Sequence, residues 1–154
     1  MDKIQYDKLI LTTILAAKRA GEAILEVYGS DFEVEQKDDK SPLTLADKRS
    51  HEIIMDVLGQ TITVNNSTVP VLSEEGKEIP YDERKKWEYF WLVDPLDGTK
   101  EFVKRNGEFT VNIALVKHGK PLLGVIYVPD SKELYMADVV QKQAAKISGI
   151  RSST

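Results

Sequence analysis

Two aspartates, Asp94 and Asp97, stand three residues apart in "WLVDPLDGTKEF", with Pro95 between them and Gly98-Thr99-Lys100 directly after. Carboxylates gathered beside a main-chain carbonyl are the oxygen donors that Mg²⁺ takes, commonly together with phosphate oxygens of a substrate. In a regular strand alternate residues share a face, so a spacing of three sends the two side chains to opposite sides. The pair converges only if the chain turns between them, and Pro95 with Gly98 supplies turn chemistry. Such a turn would expose a carbonyl, that of Leu96, beside the carboxylates. Gly98, Thr99 and Lys100 would then open a helical turn whose unpaired N–H groups can receive a phosphate. The competing use of Asp97 is as a cap, bonding to those same N–H groups.

The spacing also excludes one chemistry. Haloacid-dehalogenase-type phosphatases use Asp-x-Asp-Gly-Thr, in which a spacing of two points both carboxylates the same way. A second acidic group, "SEEG", follows the apolar run Val69–Leu72. An acidic pair at a strand end is ordinarily solvated surface. If that run and Phe90–Val93 are neighbouring strands ending on the same side, however, Glu74 or Glu75 meets Asp94 and Asp97 in a multi-carboxylate site. Asp47 in "TLAD" has two readings: favourable interaction with a helix dipole as the third residue after a Thr44 cap, or orientation of a catalytic threonine whose proton it accepts. Lys37, Asp38, Asp39 and Lys40 read as a solvated loop. His51 and His118 lack ligand spacing and read as structural, and Trp87, Tyr89, Phe90 and Trp91 read as packing.

The elements that must position these residues follow from periodicity. Ile10, Ile14, Ala17, Gly21, Ile24 and Tyr28 recur in steps of four and three, one buried helix face, with Gly29 as the stop. A short strand is expected at 32–36, a loop at "KDDKSP", and a second helix over 45–58 ending at Gly59. Val69–Leu72 and "EYFWLV" read as strands, with an irregular stretch or one helical turn over 77–87 between them. Further strands are expected at 110–117, 121–128 and 133–137, turning at His118-Gly119 and Pro129-Asp130. Two helices followed by mostly antiparallel strands make an α+β layered domain and not a doubly wound sheet.

The totals constrain the class of function. A chain of 154 residues is expected to form one core. Its net charge of −4 comes without a basic stripe, which argues against a nucleic-acid polymer as partner. With no cysteine there is no disulfide, zinc-thiolate or thiol-nucleophile chemistry, in keeping with a reducing compartment. No signal-peptide pattern and no membrane-length apolar run is found, so the expectation is a soluble, cytoplasmic protein, with peripheral membrane association left open.

Taken in order and at these intervals, "KDDKSPLTLAD", "PVLSEEG" and "WLVDPLDGTKEF" resemble the inositol monophosphatase superfamily of Mg²⁺-dependent, lithium-sensitive phosphatases. "SPLTLAD" and "DGTKEF" resemble most its 3'(2'),5'-bisphosphate nucleotidase branch, of the CysQ type; the inositol monophosphatases more often have Thr-Asn where Lys100-Glu101 stand here. The resemblance implies the N-terminal half of the layered sugar-phosphatase fold, two helices on a mainly antiparallel sheet. It implies two or three Mg²⁺ ions, with Glu74, Asp94 and the Leu96 carbonyl holding one and Asp94 and Asp97 sharing in a second. Thr99 paired with Asp47 would activate the attacking water. Gly98, Thr99, Lys100 and Glu101 would line the substrate phosphate, and the substrate would be a small nucleotide such as adenosine 3',5'-bisphosphate, cleaved to AMP and phosphate in sulfur metabolism. The alternatives are an inositol or sugar monophosphatase, or a catalytically incomplete metal-binding half that needs a partner.

Family members carry a second half with a Trp-Asp-x-Ala-Ala motif that supplies a further metal-ligand aspartate. Neither tryptophan here is followed by aspartate: Trp87 precedes Glu88 and Trp91 precedes Leu92. Residues 1–148 are therefore expected to be an N-terminal metal-binding domain, with 149–154 a flexible tail and the C-terminal domain missing. The strand-rich end would then leave an edge that something else covers.

Overall fold

Helix α1 (Lys3–Tyr28) starts seven residues before the apolar repeat does, because Asp2 and Gln5 form a capping box. The Gln5 N–H donates to Asp2 Oδ1 at 2.8 Å, and the Asp2 N–H donates to the Gln5 side chain. These two bonds satisfy amides that would otherwise hang free at the helix start. The structure, a computed structural model, describes residues 2–29, 42–59 and 68–149. The expected strand at 32–36, the charge run Lys37–Lys40 and the end of the tail lie outside the described residues.

Helix α2 (Pro42–Leu58) begins earlier than the expected residue 45. Proline is suited to the first helical position, where its missing N–H would have no partner and its fixed φ is already helical. Thr44 consequently lies inside the first turn and is not the cap, and Asp47 sits in the second turn. Its dipole-stabilising reading is thereby corrected, since the first turn of α2 holds no acidic residue.

The two helices lie side by side and cover one face of a six-stranded sheet in the order β1-β2-β3-β4-β5-β6. Strands β1 (Val71–Ser73) and β2 (Tyr89–Asp97) pair in parallel; β3 (Thr110–Lys117), β4 (Lys120–Val128), β5 (Glu133–Asp138) and β6 (Gln143–Ser148) continue antiparallel. A single turn of helix, α3 (Tyr81–Arg84), links β1 to β2, and α4 (Thr99–Lys104) follows β2. The β3–β4 connection turns at His118-Gly119, both at positive φ (48° and 75°), the geometry that a two-residue hairpin requires.

Alternation assigns the faces. Trp91, Val93, Val111, Ile113, Leu115, Leu123, Val125 and Tyr127 point at the helices and form the core with Leu9, Ala16, Ala20, Ile24, Ile54 and Leu58. On the helix side α1 comes so close to β4 that a Cβ at Gly21 would sit 2.5 Å from Tyr127 Cε2 and 3.1 Å from Pro129 Cγ. The opposite face carries Leu92 and Ile126, each 47% exposed, with Tyr135 and Lys146.

Strand β6 was not expected from the sequence. "QAAKIS" has little β propensity, and it is a strand because it pairs with β5 from Glu133↔Ser148 to Asp138↔Gln143. All six of its residues are exposed, and it is one of the two terminal strands of the described sheet.

Candidate active site

The one parallel pair in the described sheet brings two acidic segments to the same end. Register runs Val71↔Trp91, Leu72↔Leu92 and Ser73↔Val93, and the Glu74 N–H continues it by donating to the Val93 carbonyl at 3.2 Å. Glu74 therefore leaves β1 level with Asp94 on β2. From the helix layer, Asp47 of α2 reaches the same place and feels the charges of Glu75, Asp94 and Glu74.

No turn separates Asp94 from Asp97. Strand β2 runs through both, and the expected turn is corrected to a β-bulge: between Asp94↔Asn112 and Asp97↔Thr110, β2 advances three residues where β3 advances two. Pro95 and Leu96 share the space opposite Val111. Proline has no N–H to give a ladder, and within a sheet it belongs at a bulge or an edge. The extra residue shifts the alternation, and burial records the shift: Trp91, Val93, Pro95 and Leu96 are buried, while Leu92, Asp94 and Asp97 are on the open side. A spacing of three thus puts both carboxylates on one face.

Asp97 is held from β3. Asn112 Nδ2 donates to Asp97 Oδ2 at 3.1 Å, and the Thr110 hydroxyl donates to Asn112 Oδ1 at 3.0 Å. The cap reading of Asp97 does not hold, because α4 is capped by Gly98 without any side-chain bond. Gly98 takes φ 92° and lies so near the segment leading into β3 that a Cβ there would stand 3.1 Å from the Glu108 carbonyl, so glycine is required for both reasons. The Glu101 carboxylate lies beside Gly98, and Thr99 and Lys100 are exposed. Among the described residues no hydrogen bond joins Thr99 to Asp47; the structure brings Asp47 to the carboxylates and leaves Thr99 open at the helix start.

The carboxylates repel one another. Burial, followed by the charges of Glu75, Asp94 and Glu74, raises the Asp47 pKa to about 7. Burial, the charges of Glu74 and Asp97, and a hydrogen bond from the protonated Asp94 carboxyl to Glu74 raise Asp94 to about 6, against a lowering bond from the Leu96 N–H. Acid groups pushed upward by other acid groups form an environment that a cation relieves. The donors are hard oxygens, as Mg²⁺ requires, so the residues fit that ion by chemistry. Among the described residues no three His, Asp or Glu side chains stand as a ready-made ring for an ion. The charge neighbourhood, and not a preformed cage, carries the metal reading.

One consequence is a pH dependence. The metal-free fold retains protons on Asp47 and Asp94 that the unfolded chain releases, so its stability falls as pH rises from about 4 towards 7. Mg²⁺ must displace those protons, so its affinity is expected to fall about tenfold or more between pH 7.5 and pH 5. Melting midpoints should fall with pH in chelator and stay nearly level in excess Mg²⁺, so that the rise produced by Mg²⁺ grows with pH; a rise of the same size at every pH would refute the coupling.

Several residues of this neighbourhood were not evident from the sequence: Asn112 and Thr110 behind Asp97, and Ser50, His51 and Ser73 behind the bulge of β2 and the end of β1. Asn112 alone left a signal, a polar amide within the otherwise apolar run "TVNIALV", where asparagine is disfavoured.

The site occupies one end of a largely apolar trough of about 820 Å³ across the open sheet face, bordered by Leu92, Asn112, Ile126, Tyr135 and Lys146. The inositol monophosphatase family model matches residues 5–151, nearly the whole chain. The chain belongs to the inositol monophosphatase family. It is 54% identical over 123 residues to the 3'(2'),5'-bisphosphate nucleotidase CysQ of Escherichia coli K12, covering 79% of this chain and 48% of that protein. Its fold matches the crystal structure of CysQ from Bacteroides thetaiotaomicron, with a TM-score of 0.81 and 52% identity over 91% of this chain and 49% of that one. Inositol monophosphatase II from Staphylococcus aureus matches with a TM-score of 0.73 at 28% identity, covering 90% of this chain and 49% of that one. The chain spans about half the length of the relatives it matches. No helix among the described residues is long and apolar enough to cross a membrane.

Proposed function

We propose that this family member serves a Mg²⁺-dependent phosphomonoesterase that converts adenosine 3',5'-bisphosphate to AMP and phosphate. The observation that carries the reading is the gathering of Asp47, Glu74, Glu75, Asp94 and Asp97 where β1 ends alongside the last part of β2. The identity to CysQ proteins, well above that to the inositol monophosphatase, supports the nucleotide over an inositol or sugar phosphate.

Glu74, Asp94 and the Leu96 carbonyl would hold one Mg²⁺, and Asp94 with Asp97 would share in a second. When bound, Mg²⁺ supplies positive charge to the phosphoryl oxygens and makes water acidic enough to attack near neutral pH. The chain's own groups then have these duties. The N–H groups of Gly98 and Thr99 face the phosphate, with Lys100 and Glu101 beside it. The Thr99 hydroxyl orients the attacking water, and Asp47, kept as a carboxylate beside the cations, takes the proton passed through Thr99. The water oxygen bonds to phosphorus as the bond to the 3'-oxygen breaks, and the leaving oxygen takes up a proton to give the 3'-hydroxyl of AMP. No enzyme nucleophile takes part.

The half-length match favours a second reading, in which these residues are a metal-binding half that turns over only with the remaining half of the family fold. Assays with Mg²⁺ on the 154-residue chain, and on a protein extended to the relatives' length, separate the readings. The extended protein is expected to release phosphate from adenosine 3',5'-bisphosphate with kcat/KM at least about tenfold above inositol monophosphate, and lithium is expected to inhibit it. Reversed preference would move the assignment to the inositol phosphatases, and an inert extended protein would refute it.

A further inference from the structure

Two neighbouring side chains on α2 grip the two segments that carry the carboxylates. Ser50 is fully buried and donates its hydroxyl hydrogen to the Pro95 carbonyl at 2.7 Å, across 45 residues of sequence. His51, the next residue, is hydrogen-bonded through Nδ1 to Ser73 Oγ at 3.0 Å. Ser73 immediately precedes Glu74, and its Oγ also receives the Glu75 N–H at 3.4 Å. A single turn of helix thereby holds both the bulge of β2 and the end of β1.

The Ser50 contact differs from what a serine inside a helix ordinarily does. Its usual partner is a carbonyl of the preceding turn of its own helix. Here the hydroxyl reaches another element, and the carbonyl it takes belongs to the residue that the bulge removes from the ladder. A peptide group without ladder bonds is free to tilt. Tilting at Pro95 would swing Asp94 on one side and Leu96 with Asp97 on the other.

We propose that Ser50 is a positioning residue for the divalent-cation site: by fixing the Pro95 peptide plane it aligns Asp94, the Leu96 carbonyl and Asp97. This rests on the metal reading above. Ser50 touches neither cation nor substrate, and it acts through the bulge. A purely structural hydrogen bond would instead affect melting and leave cation affinity alone.

Titration calorimetry with Mg²⁺ alone, well below the melting range, distinguishes these roles in the parent chain, Ser50→Ala, Ser50→Cys and Asp97→Asn. Ser50→Ala is expected to weaken Mg²⁺ binding about tenfold, the scale typical for loss of a group that orients a metal ligand. Ser50→Cys keeps a donor, weaker and on a larger atom, and should fall between Ser50→Ala and the parent. Amide NMR should show the fold of both variants intact, with shifts concentrated at Leu96 and Asp97. Unchanged Mg²⁺ affinity in Ser50→Ala, with binding lost in Asp97→Asn, would overturn the role of Ser50 while leaving the metal site standing. If the parent shows no Mg²⁺ binding that Asp97→Asn removes, the metal reading fails and the role of Ser50 fails with it.

Discussion

Asp94→Asn is expected to melt above the parent chain in the absence of metal and to lose its thermal response to Mg²⁺. The two effects have opposite signs because the carboxylate has opposite consequences in the two states. Without a cation, Asp94 is a half-buried acid facing Glu74 and Asp97, and its pKa near 6 records the conflict. The amide keeps the oxygen that receives the Leu96 N–H, offers Glu74 a donor, and carries no charge. Relief of about 1–2 kcal/mol, at about 2–4 °C per kcal/mol for a chain of this size, gives a modest rise in the metal-free midpoint. With a cation, the same substitution removes the ligand common to both proposed ions. In an active, extended protein, loss of about 4 kcal/mol of transition-state charge stabilisation lowers kcat about a thousandfold. Differential scanning fluorimetry with and without Mg²⁺ reads the first effect, and phosphate release reads the second. A variant that keeps the Mg²⁺ shift of the parent would remove Asp94 from the site.

Trp91→Ala is expected to cost about 3–5 kcal/mol, the range for deleting a buried large aromatic side chain. Trp91 is fully buried on the helix-facing side of β2 and stands in register with Val71 on one side and Leu115 on the other. Its N–H also donates to the Pro70 carbonyl at 2.8 Å, so it lies at the seam of the parallel pair. Its neighbour Leu92 faces the other way and is 47% exposed, so Leu92→Ala should cost less than about 1 kcal/mol. Urea denaturation of the two variants gives the comparison directly. Equal losses would mean that the helices do not cover the side of the sheet described here. A loosened seam should also weaken cation binding, because β1 and β2 set Glu74 level with Asp94.

The fold was legible where a pattern in the chain reports local geometry. The helix-one repeat, the apolar strand runs and the His118-Gly119 turn all lie in recognisable elements of the structure. What escaped depended on partners distant in sequence or on one residue's special backbone. Asp2 and Gln5 extended α1 through a pair of small bonds, Pro42 started α2 early, and β6 exists only because β5 offers an edge. In the site, the acidic motifs stood out by composition. Their supports did not, because a serine on a helix says nothing about which carbonyl it will meet 45 residues later. The bulge was hidden for a related reason: Pro95 announces an interruption of regular pairing, and only the register against β3 decides whether it becomes a turn or an extra residue within a strand.

That extra residue also limits which changes of length the motif tolerates. Deleting one residue between Asp94 and Asp97 would leave two aspartates at a spacing of two, still on one face of a now regular strand. An alignment of side chains would score the shortened motif as equivalent. The main chain would not be equivalent, since the carbonyl that Ser50 holds would return to ladder pairing and one peptide oxygen would vanish from between the acids. Asp-x-Asp and Asp-Pro-x-Asp are thus alike in carboxylates and different in backbone oxygens, and the bulge is what sets them apart.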